Sequence, residues 1–143
     1  MGLKDRLAAR RRPTASYALR IEDDTTARSE LAAARAAGDE SRVVAAQEAV
    51  EACYEQVTLT ALPPVELEAL IAAHPTPPKG TKIFNPVTFI PALLAVSVDS
   101  DVTEEDWSGY YTSGAMTAGE VADLFEAVWR LNYRTPDPSV PKG

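Results

Sequence analysis

The stretch Glu55-Gln56-Val57-Thr58-Leu59-Thr60-Ala61-Leu62 alternates Val57, Leu59 and Ala61 with Gln56, Thr58 and Thr60, the period of a half-buried strand. An earlier stretch, Ala15-Ser16-Tyr17-Ala18-Leu19-Arg20-Ile21, alternates Tyr17, Leu19 and Ile21 in the same way and ends on the acids Glu22, Asp23 and Asp24. Between the two, ten of the chain's 24 alanines fall from Ala27 to Ala52. Alanine is the best helix former and occupies little space, so the insert reads as closely packed helix. One unbroken rod of about 26 residues would hold the strands ~39 Å apart. Gly38-Asp39, however, combines a C-terminal glycine with a capping acid, which predicts two helices, from about Thr26 to Ala37 and from Glu40 to Cys53. Thr25 or Thr26 is the expected cap of the first, with Ser29 and Glu30 in its first turn. A helical hairpin returns the chain to its starting point, and the two strands can then pair antiparallel.

Downstream, the punctuation is helical. Pro63-Pro64 opens a third helix with Val65, Leu67, Ala69, Leu70 and Ile71 as apolar positions, and it stops at His74-Pro75. Residues 75–81 hold three prolines and read as an extended linker. Asn85-Pro86 is an N-cap followed by a first-turn proline, opening a fourth helix that Phe89, Leu93, Leu94, Val96 and Val98 make apolar nearly all round, hence central. Pro91 predicts an irregular start, with regular helix from Ile90. Thr103-Glu104-Glu105-Asp106 has the shape of a capping box and opens a short helix carrying Trp107, Tyr110 and Tyr111, closed by Gly114. Thr117-Ala118-Gly119-Glu120 is a second box, opening a last helix with Val121, Leu124, Phe125, Val128, Trp129 and Leu131 at helical spacing. The expected fold is therefore α+β and mostly helical. A small antiparallel β-hairpin is interrupted by an Ala-rich helical hairpin over 26–53 and followed by a bundle of about four helices. The expected organisation is a basic flexible arm (1–13), one globular domain (14–133) and a Pro-rich extended tail (134–143).

The 143 residues carry 14 Lys+Arg and 21 Asp+Glu, for a net charge of −7, unevenly spread. Residues 1–13 hold five bases and one acid (+4); the rest holds nine bases and twenty acids (−11). An arm of that sign suits nucleic acid or an acidic surface, but the body repels a phosphate backbone, so a docked or solvated arm is the stronger reading. A single Cys and a single His exclude zinc sites and disulfide frameworks. No apolar run is long enough to span a membrane, and the basic start has no apolar stretch behind it, so a soluble intracellular protein is expected.

The candidate chemistry is sparse. His74 sits at a helix end, where its charge suits the dipole. Cys53, between Glu51 and Glu55, reads as a small buried group rather than a reactive thiol. Asp99, Asp101, Glu104, Glu105 and Asp106 lack the spacing of a calcium loop and are explained as helix-start acids. Phosphate-binding glycine loops are absent. These features predict no catalytic residues, no metal, no cofactor and no enzymatic activity. The aromatic residues 107, 110, 111, 125, 129 and 133 read either as core or as a partner groove, with core favoured for Phe125 and Trp129 and exposure open to Tyr110, Tyr111 and Tyr133.

Strand, Ala-rich insert and a second strand ending in Leu62-Pro63-Pro64 are followed by Phe84-Asn85-Pro86-Val87-Thr88-Phe89-Ile90-Pro91-Ala92-Leu93-Leu94-Ala95, then Thr103-Glu104-Glu105-Asp106-Trp107, then Val128-Trp129-Arg130-Leu131-Asn132. In this order, over residues 14–133, the chain resembles the tail assembly chaperones of long-tailed phages and prophages of actinobacteria. The resemblance implies a non-catalytic assembly factor of the host cell cytoplasm that binds the tape measure protein, helps tail tube assembly and is absent from the mature virion. The tail tube protein and further copies of the chain are additional expected partners. It also implies a longer product made by ribosomal frameshifting, which Val140-Pro141-Lys142 permits. Under this reading the partner-contact residues are Phe89, Leu93, Trp107, Tyr110, Phe125 and Trp129; ordinary core packing competes for each, most strongly for Leu93, Phe125 and Trp129. The alternatives are a structural tail or connector subunit and a small nucleic-acid-binding regulator acting through Arg10, Arg11 and Arg12.

Overall fold

A computed structural model describes residues 2–80 and 83–135. The fold is the expected mostly helical α+β: the described residues form seven helices and two strands, and the strands pair antiparallel. The frameshift stretch 140–142 and the tail from 136 lie outside the described residues. The single domain expected over 14–133 divides into two compact units, Ser16–Val57 and the combination of Met1–Ala15 with Thr58–Gly143. The insert forms its own unit because its apolar residues pack on one another.

Strand β1 (Thr14–Arg20) and strand β2 (Tyr54–Thr60) supply the sheet. Backbone bonds from Ile21 N–H to the Cys53 carbonyl (2.8 Å) and from Ala61 N–H to the Pro13 carbonyl (2.9 Å) close its two ends. Leu59 is buried as the alternation requires, whereas Ile21 lies just beyond β1 and is exposed.

Within Ser16–Val57, helix α2 (Thr25–Ala37) ends on Gly38, whose φ of 66° is left-handed and favours glycine. The Asp39 side chain accepts the Arg42 N–H at 3.2 Å and starts helix α3 (Glu40–Glu51). The helices are pinned across the turn by Arg42 on Glu30 at 2.9 Å. Leu31, Ala46 and Val50 form their buried core, with Ala27, Val43 and Tyr54 against it. Ala34 and Ala46 are buried as well, small side chains that take little space in the hairpin. The cap of α2 differs from expectation. Asp24, not a threonine, occupies it and makes no side-chain cap bond, while Asp23 accepts the N–H and hydroxyl of Thr25.

In the other unit the arm expected over 1–13 holds a short helix, α1 (Leu3–Ala8), and the Arg12 Nε donates to the Ala61 carbonyl at 2.6 Å. Helix α4 (Pro64–Ala73) follows β2, and Leu59 also bridges to Val98. Helix α5 (Pro86–Ser97) is capped by Asn85, which accepts the Val87 N–H at 3.2 Å, and it is central as its composition demands: Phe89, Pro91, Ala92, Leu93, Leu94 and Ser97 are buried. It runs from Pro86 without the irregular start expected at Pro91. One proline only removes the amide donor for the Val87 carbonyl, and the rest of the ladder bridges the gap. Helices α6 (Glu104–Ser113) and α7 (Ala118–Asn132) both begin with complete reciprocal capping boxes, at Thr103/Asp106 and Thr117/Glu120. Helix α7 buries Val121, Leu124, Val128 and Leu131, one face at helical spacing.

Candidate partner-binding surface

Phe125, Trp129 and Tyr133 are spaced by four, so they share a face of α7 and its C-terminal cap. Their rings follow one another at centroid distances of 5.7 and 4.7 Å. Beneath them Phe84 and Phe89 stack at 4.2 Å. Phe84 lies 5.8 Å from Phe125 and 5.6 Å from Trp129, and Phe89 presents its edge to both. Phe84 and Phe89 are buried, Phe125 and Trp129 are half-buried, and Tyr133 is 51% exposed. The result is an aromatic ladder that begins in the core and ends in solvent. Offset and edge-on pairs of this kind contribute about 0.5–1.5 kcal/mol each beyond burial, so the outer rings are held in place rather than loose.

The six expected contact residues do not form one surface. Phe89, Phe125 and Trp129 come together in the ladder. Trp107 and Tyr110 form a separate edge-on pair at 5.9 Å on α6. Phe89, Leu93 and Trp107 are at most 3% exposed and therefore lie in the core: the first two are on the buried face of α5, and Trp107 is buried with its indole Nε1 left without a partner among the described residues. Tyr110 is exposed, and Phe125 and Trp129 are half-buried. Phe84, the inner anchor, is absent from the expected set. Its only sequence signal is a large aromatic residue directly before the Asn85 cap, the place of a residue that folds back on the helix it precedes.

A cleft of about 780 Å³ lies between the end of α4, the start of α5 and one face of α6. Its walls include His74, Pro75, Val87 and Pro91, with Glu104 and Glu105 among the polar residues. His74 is the C-cap of α4 as expected, with its ring 6.1 Å from Phe89 and its carbonyl taking the Asn85 N–H at 2.9 Å.

The Ser16–Val57 unit also holds a polar knot that no local sequence pattern signals. Buried Asp24 accepts the Tyr54 hydroxyl at 2.6 Å and the Arg28 Nε, with Arg20 at 3.5 Å. The Tyr54 hydrogen bond and then the Arg28 contact hold the Asp24 carboxyl at about 2, below its ordinary 3.8. Arg28 is raised in turn by Tyr54 and Asp24. Cys53 is buried beside it, with Sγ 3.4 Å from the Ala49 carbonyl, as expected of a small packed group.

Among the described residues no group of three or more His, Cys, Asp and Glu side chains is arranged to hold a metal ion, and no helix is long and apolar enough to cross a membrane. No family model, curated protein or solved structure matches the chain.

Proposed function

We propose that the protein is a tail assembly chaperone, a non-catalytic factor that binds the tape measure protein in the host cell cytoplasm while the tail tube assembles. The observation that carries this reading is the aromatic ladder Phe125, Trp129 and Tyr133, anchored on Phe84 and Phe89. A rigid aromatic strip with exposed edges suits the apolar face of a long helix, which it covers without burying a charge. The segments that carry the resemblance support the same reading. Three of them become the α5 start, the α6 capping box and the α7 end, which share one unit. The net charge of −7 keeps such a complex in solution.

Co-expression with the tape measure protein tests it. The expected result is a soluble complex that co-purifies and is missing from finished particles. A tape measure protein that stays insoluble overturns the reading. Recovery of the chain as a stoichiometric component of purified virions replaces it with a structural tail or connector subunit.

A further inference from the structure

Two features remain outside that reading, the basic arm and the cleft between α4, α5 and α6. On α1, Leu3 and Leu7 stand one turn apart and are 69% and 52% exposed, and no residue of the helix is buried. Around them Lys4, Arg6, Arg10 and Arg11 meet no carboxylate among the described residues. The arm thus carries a short helix with apolar residues and unpaired cations, and its bonds to the body among the described residues are at its end, from Arg12 and Pro13 to Ala61.

The cleft carries the complementary set. Val87 is half exposed beside Pro75 and Pro91, and Glu104 and Glu105 have no cation partner among the described residues. From residue 83 to residue 129 the sequence has eight carboxylates and no Lys, Arg or His. The volume, about 780 Å³, is within the range of pockets that enclose a ligand's side chains.

We propose that this cleft receives the α1 arm of a second copy of the chain, with Leu3 and Leu7 on the apolar wall and the arm's cations on Glu104 and Glu105. Charge selects the occupant. A phosphate surface, whether lipid or nucleic acid, attracts the arm's +4 but repels the −11 of the remaining chain, whereas the acidic cleft of another copy offers the opposite charge together with an apolar floor. The contact is head to tail: each copy that gives an arm keeps an open cleft, so copies add in series until a ring closes or a filament grows. The inference is independent of the tape measure reading and needs no other protein to test.

Sedimentation velocity on the full chain, over a range of concentrations, is the experiment. The wild type is expected to associate, and to do so about tenfold more weakly on moving from about 50 to about 500 mM salt. Leu3→Ser/Leu7→Ser and Glu104→Gln/Glu105→Gln should each weaken association by about tenfold, with far-ultraviolet dichroism verifying that both variants stay folded. Arg10→Glu/Arg11→Glu and Glu104→Lys/Glu105→Lys should each fail to associate alone and recover association when mixed. A chain that is monomeric at every concentration, or association indifferent to both the arm and the cleft variants, overturns the proposal. So does a monomeric chain whose arm binds phosphatidylglycerol vesicles or duplex DNA.

Discussion

Asn132, the last residue of α7, accepts the backbone N–H of Leu62 on Oδ1 at 2.8 Å and donates its Nδ2 to the Val128 carbonyl at 2.8 Å. One amide thereby ends a helix and fastens the chain where it leaves β2, 70 residues earlier. Both partners are backbone groups, so only a side chain that gives and accepts at this reach satisfies them. Asn132→Ala should cost about 1–3 kcal/mol, because a partly buried N–H loses its acceptor. Urea unfolding measures it, and a loss below about 0.5 kcal/mol makes the contact incidental.

The capping boxes give a second, independent expectation. Thr103 accepts the Asp106 N–H and Thr117 accepts the Glu120 N–H, each at 3.1 Å, with the acid returning the bond to the threonine N–H. Thr103→Ala and Thr117→Ala should each destabilise by about 1 kcal/mol, and the two losses should add, since the boxes share no partner. Thermal unfolding of the two single variants and the double variant checks both size and additivity. A double variant no less stable than either single one refutes it.

These boxes, the Gly38 turn and the Asn85 cap were legible in the sequence because each is decided within four or five residues. The start of α2 was not. Two threonines are good caps locally, yet Asp24 takes the place because its carboxylate is bound by Tyr54, 30 residues further on. The site shows the same division. Periodicity put Phe125 and Trp129 on one face of α7, but only the folded chain brings Phe84 and Phe89 against them, or encloses Trp107 while Tyr110 stays exposed. An alternating or helical pattern says which residues share a face; which faces meet is set by contacts distant in sequence.

Asp24 makes the hairpin unit sensitive to acid. Its carboxyl lies at about 2 in the folded chain and at the ordinary 3.8 when unfolded, so the unfolded form takes up the proton first. The stabilisation is complete above about pH 4 to 5 and is lost as pH falls through 3.8 toward 2. Asp24→Asn removes the charge, so the wild type's advantage over this variant should be constant near neutrality and shrink across that window. Tyr54→Phe deletes the largest cause of the shift and should move the Asp24 titration up toward 3.8. Carbon-detected NMR titration of the carboxyl reads it directly, and an unmoved midpoint refutes the assignment to Tyr54.

The ladder allows stability and binding to be separated, because its rungs differ in burial. Phe84 is 8% exposed and stacked on Phe89, so Phe84→Ala should cost about 3–5 kcal/mol and, under the proposed function, lose co-purification of the tape measure protein through misfolding. Tyr133 is 51% exposed and lies tilted against Trp129, so Tyr133→Ser should change stability by no more than about 0.5 kcal/mol. If the outer edge of the ladder is the contact, Tyr133→Ser nevertheless reduces co-purification of the tape measure protein severalfold, and Trp129→Ser reduces it further. Tyr110→Ser, on the separate α6 pair, should leave it unchanged. Pull-down of soluble complex alongside urea unfolding of each variant gives both readouts. Binding that follows stability alone, or that falls with Tyr110 and not with Tyr133, moves the contact away from α7.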